Sequence, residues 1–213
     1  MVLNTLKSNR IFIISGWLLI VGFCLLAVSL LIVALTLPMP SADAVGVKNW
    51  VTQNLLWLQV ADELLAFATP VILTATLLLY GRIKKQQPIN SSLAMMITIT
   101  LTIGTTTGVV LPLGRLVYPV NGLPTVTGEM AVMTASQVFA GIHWLMLILA
   151  LFILIFSRII SSSLVTALAI AAVPLQIVGT YYASEIFIPL ALVAIISLLL
   201  WGIASGIYLI KKK

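Results

Sequence analysis

Charge is scarce in this chain. Only 8% of its residues are Asp, Glu, Lys or Arg, against about a quarter in ordinary soluble domains. Apolar residues make up 62%, so too little polar surface remains to cover a water-exposed body, and a soluble globular protein is excluded. Cysteine occurs once, as Cys24, which rules out an intrachain disulfide and a thiolate metal cluster. Cys24 sits mid-run in VGFC and reads as a buried, inert thiol. Histidine also occurs once, as His143, so bis-histidine haem ligation within the chain is impossible. Walker loops, HExxH, GxSxG, CxxC and GxGxxG are all missing. Long polar segments are missing too, which excludes a soluble catalytic or nucleotide-binding domain. These absences predict a chain with no catalytic activity of its own, no metal site and no cofactor held by this chain alone. Quinone or haem would be met only at an interface with another subunit.

What is present is a series of long apolar runs. They predict an all-α protein, one polytopic membrane bundle over residues 1–213, in the cell membrane. The expected spans are at about 11–37, 57–80, 92–111, 130–156, 164–182 and 186–210. The first run is longer than a signal-peptide core, so it is expected to be retained as a span. Residues 41 to 56 are expected to form a connection, with Trp50 and Trp57 in the aromatic belt. Pro112 and Gly114 are expected to end the third span.

The charges are sorted. Six spans put Lys7, Arg10, Arg82, Lys84, Lys85, Arg158, Lys211, Lys212 and Lys213 on one side, and only Lys48 and Arg115 on the other. The positive-inside rule then predicts that both termini are cytoplasmic. The net charge of +6 follows from this topology rather than from nucleic-acid binding. Asp43, Asp62, Glu63, Glu129 and Glu185 all fall on the outer side or in the outer half of a span.

The outer half also collects Arg115, Tyr118, Gln137, His143, Gln176, Tyr181 and Tyr182. Asp62, Glu63, Arg115, Gln137, His143, Gln176 and Tyr181 are the candidates for ligand binding or proton relay. Acids inside a span are costly, so their default reading is functional. The plainer reading sets Asp62 and Glu63 among headgroups and leaves the others as hydrogen-bonding glue between helices. On the functional reading Glu63 and His143 would line one water-accessible cavity. Gly104 and Gly108 frame GTTTG, a GxxxG pattern that lets another helix approach closely.

GTTTGVVLPLG, Gly104–Gly114, resembles a segment of subunit I of the cytochrome bd quinol oxidases, where GVxTG precedes a glutamate. Residues 60–145 would match that family's first three helices, and the in-to-out direction agrees. The resemblance implies membership of a respiratory complex. It carries over no haem ligand: the family's helix-one histidine falls near Glu63, its glutamate on Pro112, and its next acid near Gln137. In size and topology the chain is also similar to the substrate-binding subunits of energy-coupling vitamin transporters. Two functions are therefore expected. One is a non-catalytic integral subunit of a larger membrane complex, in the respiratory or redox class, with other integral membrane proteins and the lipid bilayer as partners. The alternative is a solute-binding or transport component with an outward polar pocket.

The charge asymmetry gives a direct test of orientation. In a Cys24→Ala background, Asn121→Cys should react with an impermeant thiol reagent in intact cells and Gln86→Cys should not. The reverse pattern would overturn the topology.

Overall fold

A computed structural model describes residues 2–36, 43–118, 126–179 and 188–212. The described residues are almost entirely helical. The elements are α1 (Val2–Leu35), α2 (Ala44–Ile83), α3 (Pro88–Thr105), a π-helical turn (Thr106–Val110), α4 (Leu111–Val117), α5 (Gly128–Ile159), α6 (Ser163–Val178) and α7 (Ile188–Lys211). Five stretches are long and apolar enough to cross a membrane: Arg10–Leu35, Ala44–Ile83, Pro88–Val117, Gly128–Ile159 and Ile188–Lys211. α6 is apolar but only 16 residues long.

Two boundaries differ from the expectation. Residues 44–56 are not a connection; they are the first turns of α2. Asp43 caps that helix, its carboxylate accepting the Gly46 N–H at 2.6 Å. No proline interrupts the chain between Asp43 and Pro70, so the helix started there runs on. At 40 residues, α2 is about 60 Å long, twice the ~30 Å of hydrocarbon. Trp57 and Tyr80 lie about 35 Å apart along it, the spacing of the two aromatic belts. The turns before Trp57 lie beyond that spacing.

The third span does not end at Pro112. Pro112 has no N–H to give to Gly108, four residues back, and its ring would press on that carbonyl. The π turn widens the backbone there: the Leu111 N–H bonds to Thr106, five residues back. The helix absorbs the proline and continues to Val117 as one rod from Pro88. With the first span taken as Arg10–Leu35, the remaining starts and ends agree to within about four residues; helix α1 itself begins earlier, at Val2. The exceptions are the parts of the spans 164–182 and 186–210 that fall at 180–187, outside the described residues.

The rods close into a ring in chain order. α1 packs on α2 and α7, α2 on α3, α3 on α5, α5 on α6, and α6 on α7. The ring is filled by Phe23, Phe152, Phe156 and Trp201, each at most 1% exposed. Trp201 meets Phe23 edge-on at 5.4 Å between centroids, and Phe152 stacks on Phe156 at 5.0 Å. The indole N–H of Trp201 donates to Ser157 Oγ at 2.9 Å, which satisfies the one polar atom in this cluster.

Glycines set the closest crossings. A Cβ on Gly16 or on Gly206 would lie 2.6 Å from the other's carbonyl oxygen, which fixes α1 against α7. A Cβ on Gly22 would strike Ile72 of α2. Gly108 meets Gly141 of α5: a Cβ on Gly141 would run into the Gly108 carbonyl. One Gly141 Cα hydrogen thus points at a carbonyl oxygen whose usual helical donor would be Pro112. Gly104 makes only an ordinary contact, 3.5 Å to Ile148 Cδ1. In GTTTG the second glycine carries the crossing.

Gly141→Ala should therefore lower the unfolding midpoint in detergent, at a cost of about 1–3 kcal/mol for overpacking. Gly104→Ala should be neutral or gain up to about 1 kcal/mol of helix propensity. Equal behaviour of the two would contradict the crossing described.

Candidate functional site

The end of the bundle away from the basic turns is built on α2, α4 and α5. Trp50 of α2 anchors it. Its ring lies 5.8 Å from that of Phe139 on α5, and its indole donates to the Thr36 carbonyl at the end of α1 at 3.0 Å. Val47 of α2 packs with Ala131 and Ala135 of α5 in a small separate cluster. Ser29 of α1 donates to the Ala61 carbonyl at 2.7 Å, so the backbone just before Asp62 is held from inside the bundle.

Asp62 and Glu63 then diverge. Successive helical residues point about 100° apart. Asp62 turns inward and is 5% exposed, whereas Glu63 faces out. Asp62 packs against α4 at Gly114, where a Cβ would lie 3.5 Å from Asp62 Oδ2, an ordinary contact distance. The other carboxyl oxygen, Oδ1, is buried without a hydrogen-bond partner. Such an atom in a native interior calls for a water, an ion or a chemical role.

Glu63 accepts a hydrogen bond from the Tyr118 hydroxyl at 3.0 Å. The same hydroxyl lies 3.4 Å from the Gln59 carbonyl. Gln59 Nε2 in turn donates to the Val117 carbonyl at 3.0 Å. Together these contacts clasp the end of α4 to α2. Tyr118 lies just past the last turn of its helix, and its phenol is pushed up to about 12, first by burial and then by Glu63. The clasp is therefore fully present below pH 10, the usual value, and is lost as pH rises through 12.

The remaining candidates do not join this pair. Arg115, Glu129 and Gln137 are exposed. His143 is half-buried on α5, with its ring 6.3 Å from that of Trp144. Gln176 is fully buried between α6 and α7, where Nε2 donates to the Ala194 carbonyl at 2.8 Å. Its role there is to hold two helices together. Tyr181 and Tyr182 lie outside the described residues. Glu63 faces out and is engaged by Tyr118.

Three contributors were not read from the sequence: Gln59, Gly114 and Ser29. Two carried a signal. Gln59 stands three residues before Asp62 and four before Glu63, the spacing of one helix face. Gly114 stands four before Tyr118. GIASG, Gly202–Gly206, is likewise a GxxxG pattern, and both its glycines are close contacts.

Asp62→Leu separates a structural from a chemical role. It removes a buried carboxyl oxygen whose lack of a partner costs about 1–3 kcal/mol. The unfolding midpoint should hold or rise. A fall of several degrees would show that a water or ion completes the carboxyl in the native protein.

No family model, curated protein or solved structure matches the chain.

Proposed function

We propose that the chain is a non-catalytic integral subunit of a larger membrane complex, joined to its partners through the outer rim of the bundle. In this reading it crosses the cell membrane six times, with both termini in the cytoplasm. The observation that carries it is the outward disposition of the polar groups at the outer end. Glu63, Arg115, Glu129 and Gln137 are all exposed on α2, α4 and α5; they ring the bundle rather than converge inside it. A binding pocket needs convergent polar groups. A protein contact needs them facing out.

The neighbouring surface has the composition of a contact. Leu56, Trp57, Val60, Met130 and Met133 are exposed beside those groups. Tryptophan, methionine and arginine are the residues enriched at interface cores. Polar side chains near the bilayer edge also gain hydrogen-bond partners from an adjoining helix. The likeness of Gly104–Gly114 to the quinol oxidase segment makes a respiratory complex the first partner to test, with any quinone or haem contact at the shared interface.

A second reading has one observation in its favour. Asp62, buried against Gly114 of α4, the helix that follows the π turn, and with an unpartnered oxygen, has the character of an ion or solute ligand in a transport component. π turns are frequent at functional sites.

Photo-crosslinkers at Arg115 and Gln137 distinguish the two. The subunit reading expects both to capture the same integral membrane protein in stoichiometric amount. Crosslinkers at Leu77 and Met96, exposed nearer the basic end, should capture none. Lipid alone at all four positions would leave the subunit reading without support and favour transport.

A further inference from the structure

A groove of about 400 Å³ opens between α5 and α6 at the basic end of the bundle. It is unrelated to the outer rim. Its walls are Leu154 and Arg158 on α5, and Thr166, Ile170, Val173 and Pro174 on α6. The polar residues are gathered at one end. Arg158 lies in the last turn of α5 and Thr166 in the first turn of α6, so both sit where the two helices leave the hydrocarbon. Leu154, Ile170, Val173 and Pro174 continue the groove by about 12 Å toward the bilayer centre. Leu154 is 43% exposed and Ile170 71%, so the groove opens toward lipid and not toward the bundle core.

We infer that this groove holds a phospholipid with an anionic headgroup, its phosphate on the Arg158 guanidinium and one acyl chain between α5 and α6. Charge complementarity selects the headgroup. Arg158 is exposed, and among the described residues no acid lies in the second half of a helix whose last turn carries Arg82 or Arg158: Asp43 and Glu129 are at the starts of α2 and α5, and Asp62 and Glu63 fall in the first half of α2. Arg82, Lys84, Lys85, Lys211 and Lys212 share the basic end with it. The arginine therefore stands in a field that attracts anions. Guanidinium binds phosphate through two parallel N–H donors. Thr166 does not compete, since its hydroxyl bonds back to the Ser162 carbonyl at 2.9 Å. Ser157, also on the wall, accepts from Trp201. Basic pockets between membrane helices at the cytoplasmic side bind acidic lipid headgroups in this way. The apolar length of the groove selects a lipid over a soluble phosphate.

The test uses the full chain, delipidated in mild detergent. Phosphatidylglycerol or phosphatidylcholine with identical acyl chains is added, and retention is read by native mass spectrometry. Phosphatidylglycerol should be retained in preference, at one molecule per chain. Arg158→Gln should weaken that retention about tenfold, the effect of losing a charge-assisted contact. Arg82→Gln should leave it unchanged. Val173→Phe, which fills the groove without touching the charge, should abolish it. Equal retention of the two lipids, or a preference that survives Arg158→Gln, would overturn the inference. Preference surviving Val173→Phe would place the lipid elsewhere on the basic end, and soluble glycerol phosphate binding as well as the lipid would show that the groove plays no part.

Discussion

Helices inside a bilayer gain little by hiding apolar surface from lipid, because the tails are as apolar as the side chains. What holds this ring together is close approach. Gly16 against Gly206, Gly22 against Ile72, Gly108 against Gly141 and Gly202 against Phe23 each bring a backbone to a place no larger residue permits. Each crossing multiplies short-range contacts that are small singly and large in sum. The aromatic cluster of Phe23, Phe152, Phe156 and Trp201 then fills the space those crossings leave. The rest depends on this frame. Asp62 turns inward where α4 comes close at Gly114.

Membrane character and the all-helical fold are legible in the sequence because hydrocarbon forbids most alternatives. An unpaired backbone group is too costly there, so long apolar runs must be helices. The errors arose where that constraint weakens. Residues 44–56 are less apolar than the run that follows Trp57, so hydropathy does not mark them as helix; the cap at Asp43 and the absence of proline do. At Pro112 the usual rule ends a helix. Here the π turn spreads the missing hydrogen bond over one extra residue, and Gly141 brings a Cα hydrogen to the carbonyl that proline leaves.

The candidate site was legible in part. Asp62 and Glu63 stand out because acids are rare in such a run. Their opposite fates follow from the 100° step between neighbours, which the residue list hides and the helix reveals. Gln176 looked equivalent to Gln137 in the sequence. One clamps α6 to α7 and the other faces out, and the difference lies in which face of each helix meets a neighbour. Single-sequence reading is weak on that point when nearly every residue is apolar, since lipid-facing and core-facing sides carry the same chemistry.

The outer rim, in this account, is a contact surface. Glu63, Arg115, Glu129 and Gln137 face outward from α2, α4 and α5, and among the described charged residues Asp62 is the one that turns inward. The most direct measurement is the mass of the particle taken from its own membrane with a surrounding disc of native lipid, without detergent exchange. The account predicts a particle well above the 22.9 kDa of one chain, with a second integral membrane protein in fixed ratio. A particle of one chain and lipid alone would contradict it.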